Sequence, residues 1–267
     1  MPNFGRVQTI VAPTINEISQ IARESPESSI HVLSGLRSPM INEVFAIIAP
    51  TQSVIGVISE GRDHRGLLGL IRWWHSLCFE KKYRERVDFV LGIGNLGVRW
   101  FENCKYNKMR IFHWAYIVEE SDHPEPAATH ASNTVEIAYI GQLVQRKGVD
   151  ILLHALAQVN RSNWRLHVVG HGDFGESLKR LSIRLGIQER VSYIDALPNS
   201  LVREVFSKVD VFVLPSRFDG WGAVVNEALM AGTPVVCTDH CGASILVESS
   251  GFGAVATAQS AKSMAHS

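Results

Sequence analysis

Short runs of β-branched and aliphatic residues alternate with segments of helical period along this chain. VQTIVAP, SIHVLSG, SVIGVISE, VDFVLGIG and MRIFHW fall in the first half, and VEIAYIG, WRLHVVG, VSYID, VDVFVLP and TPVVCT in the second. Near-continuous apolar strands separated by amphipathic stretches are what βαβ units and a doubly covered parallel sheet require. Leu178, Leu181 and Leu185 stand at i, i+3 and i+7 ahead of Gly186, which predicts a helix closed by a glycine cap. Between the halves, SDHPEPAATHASNT has no apolar period and is rich in Pro, Ala, Ser and Thr, so a linker is expected near residues 121 to 134. The pattern therefore predicts an α/β chain of two Rossmann-like halves, residues 1–125 and 135–267, facing each other across a hinge. Right-handed crossovers put the strand C-terminal ends on one edge, so functional loops are expected after the strands.

Composition narrows the possibilities. With 267 residues, 46% of them hydrophobic and 19% charged, the chain can bury one large or two small cores. Lys+Arg and Asp+Glu are equal at 26 each, so no overall positive field favours a polyanion, and no nucleic-acid partner is expected. Cys78, Cys104, Cys237 and Cys241 are too few to staple a chain of this size, which suits a reducing cytoplasm. No apolar run approaches ~18 residues, and MPNFGRVQTIVAPT lacks the charge, apolar core and cleavage site of a leader. The expectation is a chain that neither spans a membrane nor is secreted.

Three loops carry candidate chemistry. WRLHVVG runs into Gly170-His171-Gly172-Asp173-Phe174-Gly175, and Asp195 follows 25 residues after Gly170. Alone, this is the spacing of a dinucleotide fingerprint, glycines for the pyrophosphate and an acid for the ribose, or else a turn that needs glycine for backbone geometry. VEIAYI ends in Gly141-Gln142-Leu143-Val144-Gln145-Arg146-Lys147-Gly148 ahead of the buried-helix pattern VDILLHALAQV. A basic loop opening a helix offers N–H groups and an ammonium to a diphosphate, although solvated loop charges read the same way. VDVFVLP leads to Pro215-Ser216-Arg217-Phe218-Asp219-Gly220-Trp221-Gly222 and then AVVNEALMAGTPVV, with Glu227 eight residues after Asp219. Glu227 can accept two hydroxyls, and a diol beside a diphosphate is the profile of a nucleotide. Cys237, His240 and Cys241 lack a fourth ligand for zinc, and His167 and His171 straddle a strand end, where helical metal spacing does not apply.

GQLVQRKGVDILLHAL, LHVVGHGDFGESL and DVFVLPSRFDGWGAVVNEALMAGTPVV, in this order and spacing, resemble the GT4 retaining glycosyltransferases of the GT-B fold. GIGNLGVRWF with FDGWGAVVNEAL looks more narrowly like the bacterial polysaccharide and lipopolysaccharide branch. The resemblance spans about residues 53 to 250 and implies a nucleotide-sugar donor on the C-terminal domain and a saccharide acceptor on the N-terminal one. It implies that Lys147 binds the donor diphosphate, that Glu227 holds the ribose as the second acid of an E-x7-E motif, and that Asp219, as the first acid, faces the transferred sugar. Gly141 and Gln142 fall in its donor loop, the backbone of Gly220, Trp221 and Gly222 contacts sugar and phosphate, and Gly170 and Gly172 belong to its own glycine turn. Neither a metal nor another cofactor is implied. A polar group after an N-domain strand lies beside the sugar in the family, which makes Glu60 a candidate active-site residue and His64 a weaker one.

The departures bear on function too. Gln142 stands where the family usually has an arginine on the diphosphate, and Asp219 is one methylene shorter than the usual glutamate. The family's opening strand and its C-terminal crossover helix have no counterpart in the sequence, so the N-terminal domain is expected to be incomplete. The expected activity is transfer of a sugar from a UDP- or GDP-linked donor to a saccharide acceptor in envelope polysaccharide synthesis. A donor-binding half needing a partner chain is the alternative, followed by an NAD(P)-dependent oxidoreductase. Leu67, Leu68, Leu70, Ile71, Trp73, Trp74 and Phe79, followed by Lys81, Lys82, Arg84 and Arg86, read either as a core-facing helix with a basic end, which is preferred, or as a seat on an anionic membrane carrying a lipid-linked acceptor.

Overall fold

The computed structural model describes residues 14–24, 29–118 and 133–267. The strand expected at VQTIVAP and nearly all of the linker expected at 121 to 134 lie outside them. The first half runs α1 (Ile15–Arg23), β1 (Ile30–Ser34), α2 (Pro39–Ile48), β2 (Val54–Glu60), α3 (Gly66–Phe79), α4 (Lys81–Arg84), β3 (Phe89–Ile93), α5 (Gly94–Asn103) and β4 (Ile111–Trp114). Its sheet has the order β1-β2-β3-β4, with β1 parallel to β2. Local chemistry sets the boundaries: Thr14 and Glu17 form a reciprocal capping box on α1, and Pro39 opens α2, where its missing N–H costs nothing. Phe45, Ile48, Ile55, Val57, Val90 and Trp100 meet in the core. The loop between α2 and β2 is pinned by Arg86, which donates to the carbonyls of Ala49, Thr51 and Ser53 at 2.8, 3.0 and 2.5 Å and pairs with Asp88 at 3.0 Å.

One expectation for this half is overturned. α3 does not turn its apolar residues to the core: its buried positions are Gly69 and Ser76, while Leu67, Leu68, Leu70, Ile71, Trp74 and Phe79 are exposed. Trp73 is partly buried, its Nε1 donating to the Asn103 carbonyl at 3.1 Å. Periodicity reports which residues share a helix face, not which face meets the sheet, and small residues on the opposite side let α3 approach through them.

The second half runs β5 (Val135–Ile140), α6 (Val149–Gln158), β6 (Trp164–Val169), α7 (Gly175–Arg184), β7 (Val191–Ile194), α8 (Asn199–Phe206), β8 (Val211–Leu214), α9 (Ala223–Met230), β9 (Val235–Thr238), α10 (Ser244–Ser250), β10 (Gly253–Ala256) and α11 (Ala261–His266). All its strand pairs are parallel, in the order β10-β9-β8-β5-β6-β7. Leu178 of α7 is fully buried, and Gly186 follows the helix in a left-handed conformation. β10, made of GAVA, is too short and too small in side chain to stand out in the sequence. The chain divides into two compact units, and the one built on this sheet also takes in Glu60–Asp63, Ile93–Arg99 and the residues from His113 onward.

Candidate functional site

Strand order reverses beside β5: the chain proceeds from β5 to β6 and β7 on one side, then returns to place β8 on the other. In open parallel sheets the crevice at such a switch point is where ligands bind, because the two flanking loops diverge there. The loops after β5, β6 and β8 open on a cavity of about 440 Å³ in the second unit. Glu60, Gly141, Gln142, Lys147, Gly170, Asp219, Gly222 and Glu227, all singled out by the sequence, line it, and so do Tyr116 and Arg146. Gly172, Gly220 and Trp221 do not. Gly172 is packed on the neighbouring loop, where a Cβ would stand 2.5 Å from the Leu143 carbonyl oxygen, and Trp221 is buried. Gly220 lies against Glu60, whose Oε2 would be 1.9 Å from an added Cβ. Asp195 is exposed and is absent from the lining, which Ala196 and Leu197 provide. His64 is absent as well, and its ring lies 6.4 Å from that of Trp100.

The loops after β5 and β8 are stitched to each other. Arg217 clasps Asp150 in the first turn of α6 with two bonds of 2.8 and 2.6 Å, and also donates to the Gln145 carbonyl at 2.8 Å. Its backbone N–H donates to the Arg146 carbonyl at 2.9 Å, and Arg146 Nη1 returns a bond to the Phe218 carbonyl at 2.9 Å. Within this frame Lys147 Nζ sits 2.6 Å from Asp219 Oδ2, with side chains only 15% and 11% exposed. Asp219 is itself held by backbone bonds with His240 and Gly242, and its Oδ2 accepts from Ser216 Oγ at 3.4 Å. The N-caps of α6 and α9 are Gly148 and Gly222, which have no side chain to cap a helix, so the first-turn N–H groups keep their affinity for an anion.

A second network reaches Glu60. Trp221 Nε1 donates to Asn226 Oδ1 at 2.9 Å, Asn226 Nδ2 donates to the Tyr116 carbonyl at 3.2 Å, and the Tyr116 hydroxyl donates to Glu60 Oε1 at 3.0 Å. Burial, and then the Glu60 carboxylate, push the Tyr116 phenol up to about 12, so it stays a neutral donor. Burial also raises the Glu227 carboxyl above the ordinary glutamate value, with Arg203 pulling the other way. Tyr116 and Asn226 had no signal in the sequence, because HWAYIVE carries no spacing that ties it to a loop more than a hundred residues away.

Two parallel-strand sheets, each with its own helices, define the GT-B class of α/β fold, and solved structures show the same architecture. The lipopolysaccharide outer core galactosyltransferase WaaB, in its apo form, matches with a TM-score of 0.73 at 20% identity, over 94% of this chain and 68% of that one. HepE of Anabaena, in complex with UDP and glucose, matches with a TM-score of 0.72 at 15% identity, over 97% and 73%. The family of glycosyl transferases group 1 matches residues 124–267, more than half of the sequence, and the chain belongs to it. A glycosyltransferase of Methanocaldococcus jannaschii is 33% identical over 101 residues, 38% of this chain and 26% of that protein. The GDP-mannose-dependent α-(1-6)-phosphatidylinositol monomannoside mannosyltransferase of Mycolicibacterium smegmatis is 33% identical over 116 residues, 40% of this chain and 30% of that protein. The matched stretch thus covers less than a third of either curated relative.

Proposed function

We propose that this protein is a GT4-type glycosyltransferase that moves a sugar, with retention of configuration, from a UDP- or GDP-sugar to a saccharide or lipid-linked saccharide acceptor. The reading includes a role in envelope polysaccharide synthesis, on the cytoplasmic side and in peripheral contact with the inner membrane. The observation that carries it is the meeting of Lys147, Asp219, Gly222 and Glu227 on one cavity at the switch point of the sheet. Its volume of about 440 Å³ suits a small-molecule ligand. HepE was solved with UDP and glucose, and the mycobacterial relative is named for GDP-mannose, which agrees with a nucleotide-linked donor. WaaB, a lipopolysaccharide galactosyltransferase, agrees with an envelope acceptor.

The chemistry follows from charge. As the bond from the sugar's anomeric carbon to the phosphate oxygen breaks, positive charge develops on the ring and negative charge on the leaving diphosphate. Lys147, Arg146 and the glycine-capped starts of α6 and α9 stabilise the second. Asp219 and Glu60, held by Lys147 and Tyr116 respectively, face the first. The acceptor hydroxyl oxygen forms the new bond on the face from which the diphosphate departs and gives its proton to the departing phosphate oxygen, and an inverted linkage in the product would contradict retention.

Thermal shift with UDP, GDP, ADP and NAD tests the donor site without an acceptor. A nucleotide at about 100 times its dissociation constant adds about 2.7 kcal/mol of stability. UDP or GDP is expected to stabilise the chain and to lose that effect in Glu227→Ala, whereas stabilisation by NAD alone would overturn the reading. Affinity is also expected to depend on pH. The Glu227 carboxylate accepts both ribose hydroxyls, and the protonated acid gives up part of that capacity. Because burial raises this group, nucleotide binding should weaken on acidification at a higher pH than an ordinary glutamate would dictate, and Glu227→Gln should abolish that limb. A donor-binding half that needs a partner chain would pass these tests and fail to turn over alone.

A further inference from the structure

The nucleotide cavity has a neighbour in the same unit. A second cavity of about 320 Å³ has on its walls Asn95 of α5, His113, Trp114 and Ile117 at and just beyond the end of β4, Trp221, and Ile245 of α10, all of them residues of the second unit. Gly94 brings the start of α5 onto the Trp221 ring: its φ is 65°, and a Cβ there would stand 3.2 Å from Trp221 Cε3. The size lies near the lower end of the range in which small molecules bind.

Two stretches of chain form the border between the cavities. Trp221 lines this one and Gly222 the other, and Trp114 and Ile117 turn to this one while Tyr116, between them, turns to the other. The Tyr116 and Trp221 rings meet edge to face with centroids 6.2 Å apart, so a single layer of side chains parts the two spaces. Tyr116 is also the residue whose hydroxyl donates to Glu60, so the border runs along the edge of the nucleotide cavity where Glu60 stands.

The chemistry of the walls selects the occupant. Trp114 is 41% exposed and Ile245 37%, which offers a flat indole and an aliphatic flank. Among the described residues the side chains of Asn95 and His113 have no hydrogen-bond partner. An acyl chain in this space would cover the indole and leave both polar groups desolvated and unpaired. A pyranose meets both demands, because its C–H groups present an apolar face to the aromatic ring and its hydroxyls reach out from the rim to the amide and the imidazole.

We propose that this cavity seats one sugar ring of the saccharide acceptor, stacked on Trp114 and hydrogen-bonded by Asn95 and His113. The inference rests on the glycosyltransferase reading for the role of that sugar and deepens it. The family resemblance puts the acceptor on the N-terminal domain, whereas this seat is built from residues of the second unit, across a shared wall from the donor.

Saturation-transfer NMR of the full chain with the methyl α-glycosides of glucose, galactose and mannose, each with and without UDP, tests it. At least one glycoside is expected to receive saturation at its ring protons, undiminished by UDP and unchanged in Glu227→Ala. Trp114→Ala should weaken that binding at least about tenfold and Asn95→Ala about fivefold, while Trp114→Phe, which keeps an aromatic face, should retain most of it. Trp114 is exposed and does not line the nucleotide cavity, so its variants are expected to keep the urea midpoint and the thermal response to UDP. Absence of binding by all three glycosides at millimolar concentration overturns the proposal, and so does binding that survives Trp114→Ala. A signal that UDP abolishes would place the sugar in the nucleotide cavity and overturn it too. Stabilisation by UDP without glycoside binding removes this inference and leaves the donor site, whereas glycoside binding without any nucleotide response does the reverse.

Discussion

Replacing Lys147 by methionine is expected to abolish the response to UDP and GDP and, separately, to destabilise the ligand-free protein. The nucleotide effect follows from charge: Lys147 and Arg146 are the two cations on the cavity wall, and Gln142 beside them is neutral. Loss of a charge-assisted bond to a phosphate, in a site that is mostly desolvated, is expected to weaken binding at least about 100-fold. The stability effect follows from the 2.6 Å pair with Asp219, whose side chain is 11% exposed. Without its partner this carboxylate stays buried and uncompensated, at a cost of about 2 to 4 kcal/mol in urea unfolding. Lys147→Met combined with Asp219→Asn separates the two effects. The double variant should regain most of the stability, since no lone charge is left, and should still ignore nucleotide. If it binds UDP as tightly as the native chain, Lys147 does not contact the diphosphate. Gln142→Arg is the converse, expected to tighten nucleotide binding about tenfold or more by adding a third cation.

The ion pair also shows how far the sequence could be read. Lys147, Asp219 and Glu227 were identifiable because each follows a strand whose apolar run is unmistakable, and a parallel sheet delivers all strand ends to one edge. What spacing could not show is that Lys147 and Asp219, 72 residues apart, form an ion pair with each other. Pairings of that kind depend on strand order, and the reversal at β5 is not encoded in any local pattern. Tyr116 and Asn226 escaped for the same reason: they act through hydrogen bonds to Glu60 and Trp221 that span distant parts of the chain. α3 departs from its sequence pattern for another reason. The period groups its apolar residues correctly, but it is the opposite face, with the small residues Gly69 and Ser76, that is buried, and periodicity carries no information on which face packs.

Gly170→Ala is expected to be strongly destabilising, costing about 3 to 5 kcal/mol. The Gly-x-Gly-x-x-Gly run reads as a cofactor turn, yet its glycines answer to the neighbouring loop. Gly170 has φ 142°, a conformation that side chains resist, and its Cβ would stand 1.9 Å from the Gly141 carbonyl oxygen. The obstacle is backbone, not the end of a flexible side chain, so relief requires the two loops to part. They are joined by Gly141 N–H to the Val169 carbonyl at 3.0 Å, Leu143 N–H to His171 at 2.8 Å and Phe174 N–H to Leu143 at 2.9 Å. These bonds continue the pairing of β5 with β6 past the strand ends and hold Gly141, Gln142 and Gly170 at the cavity. Gly186→Ala is the control: its φ is 69° and no atom lies within 4 Å of its Cβ, so only the left-handed backbone is penalised, at about 1 kcal/mol. Urea unfolding of the two variants measures the difference. If Gly170→Ala instead kept its midpoint and lost only the binding of a nucleotide, the turn would owe its glycines to a ligand, and the packing account would fail.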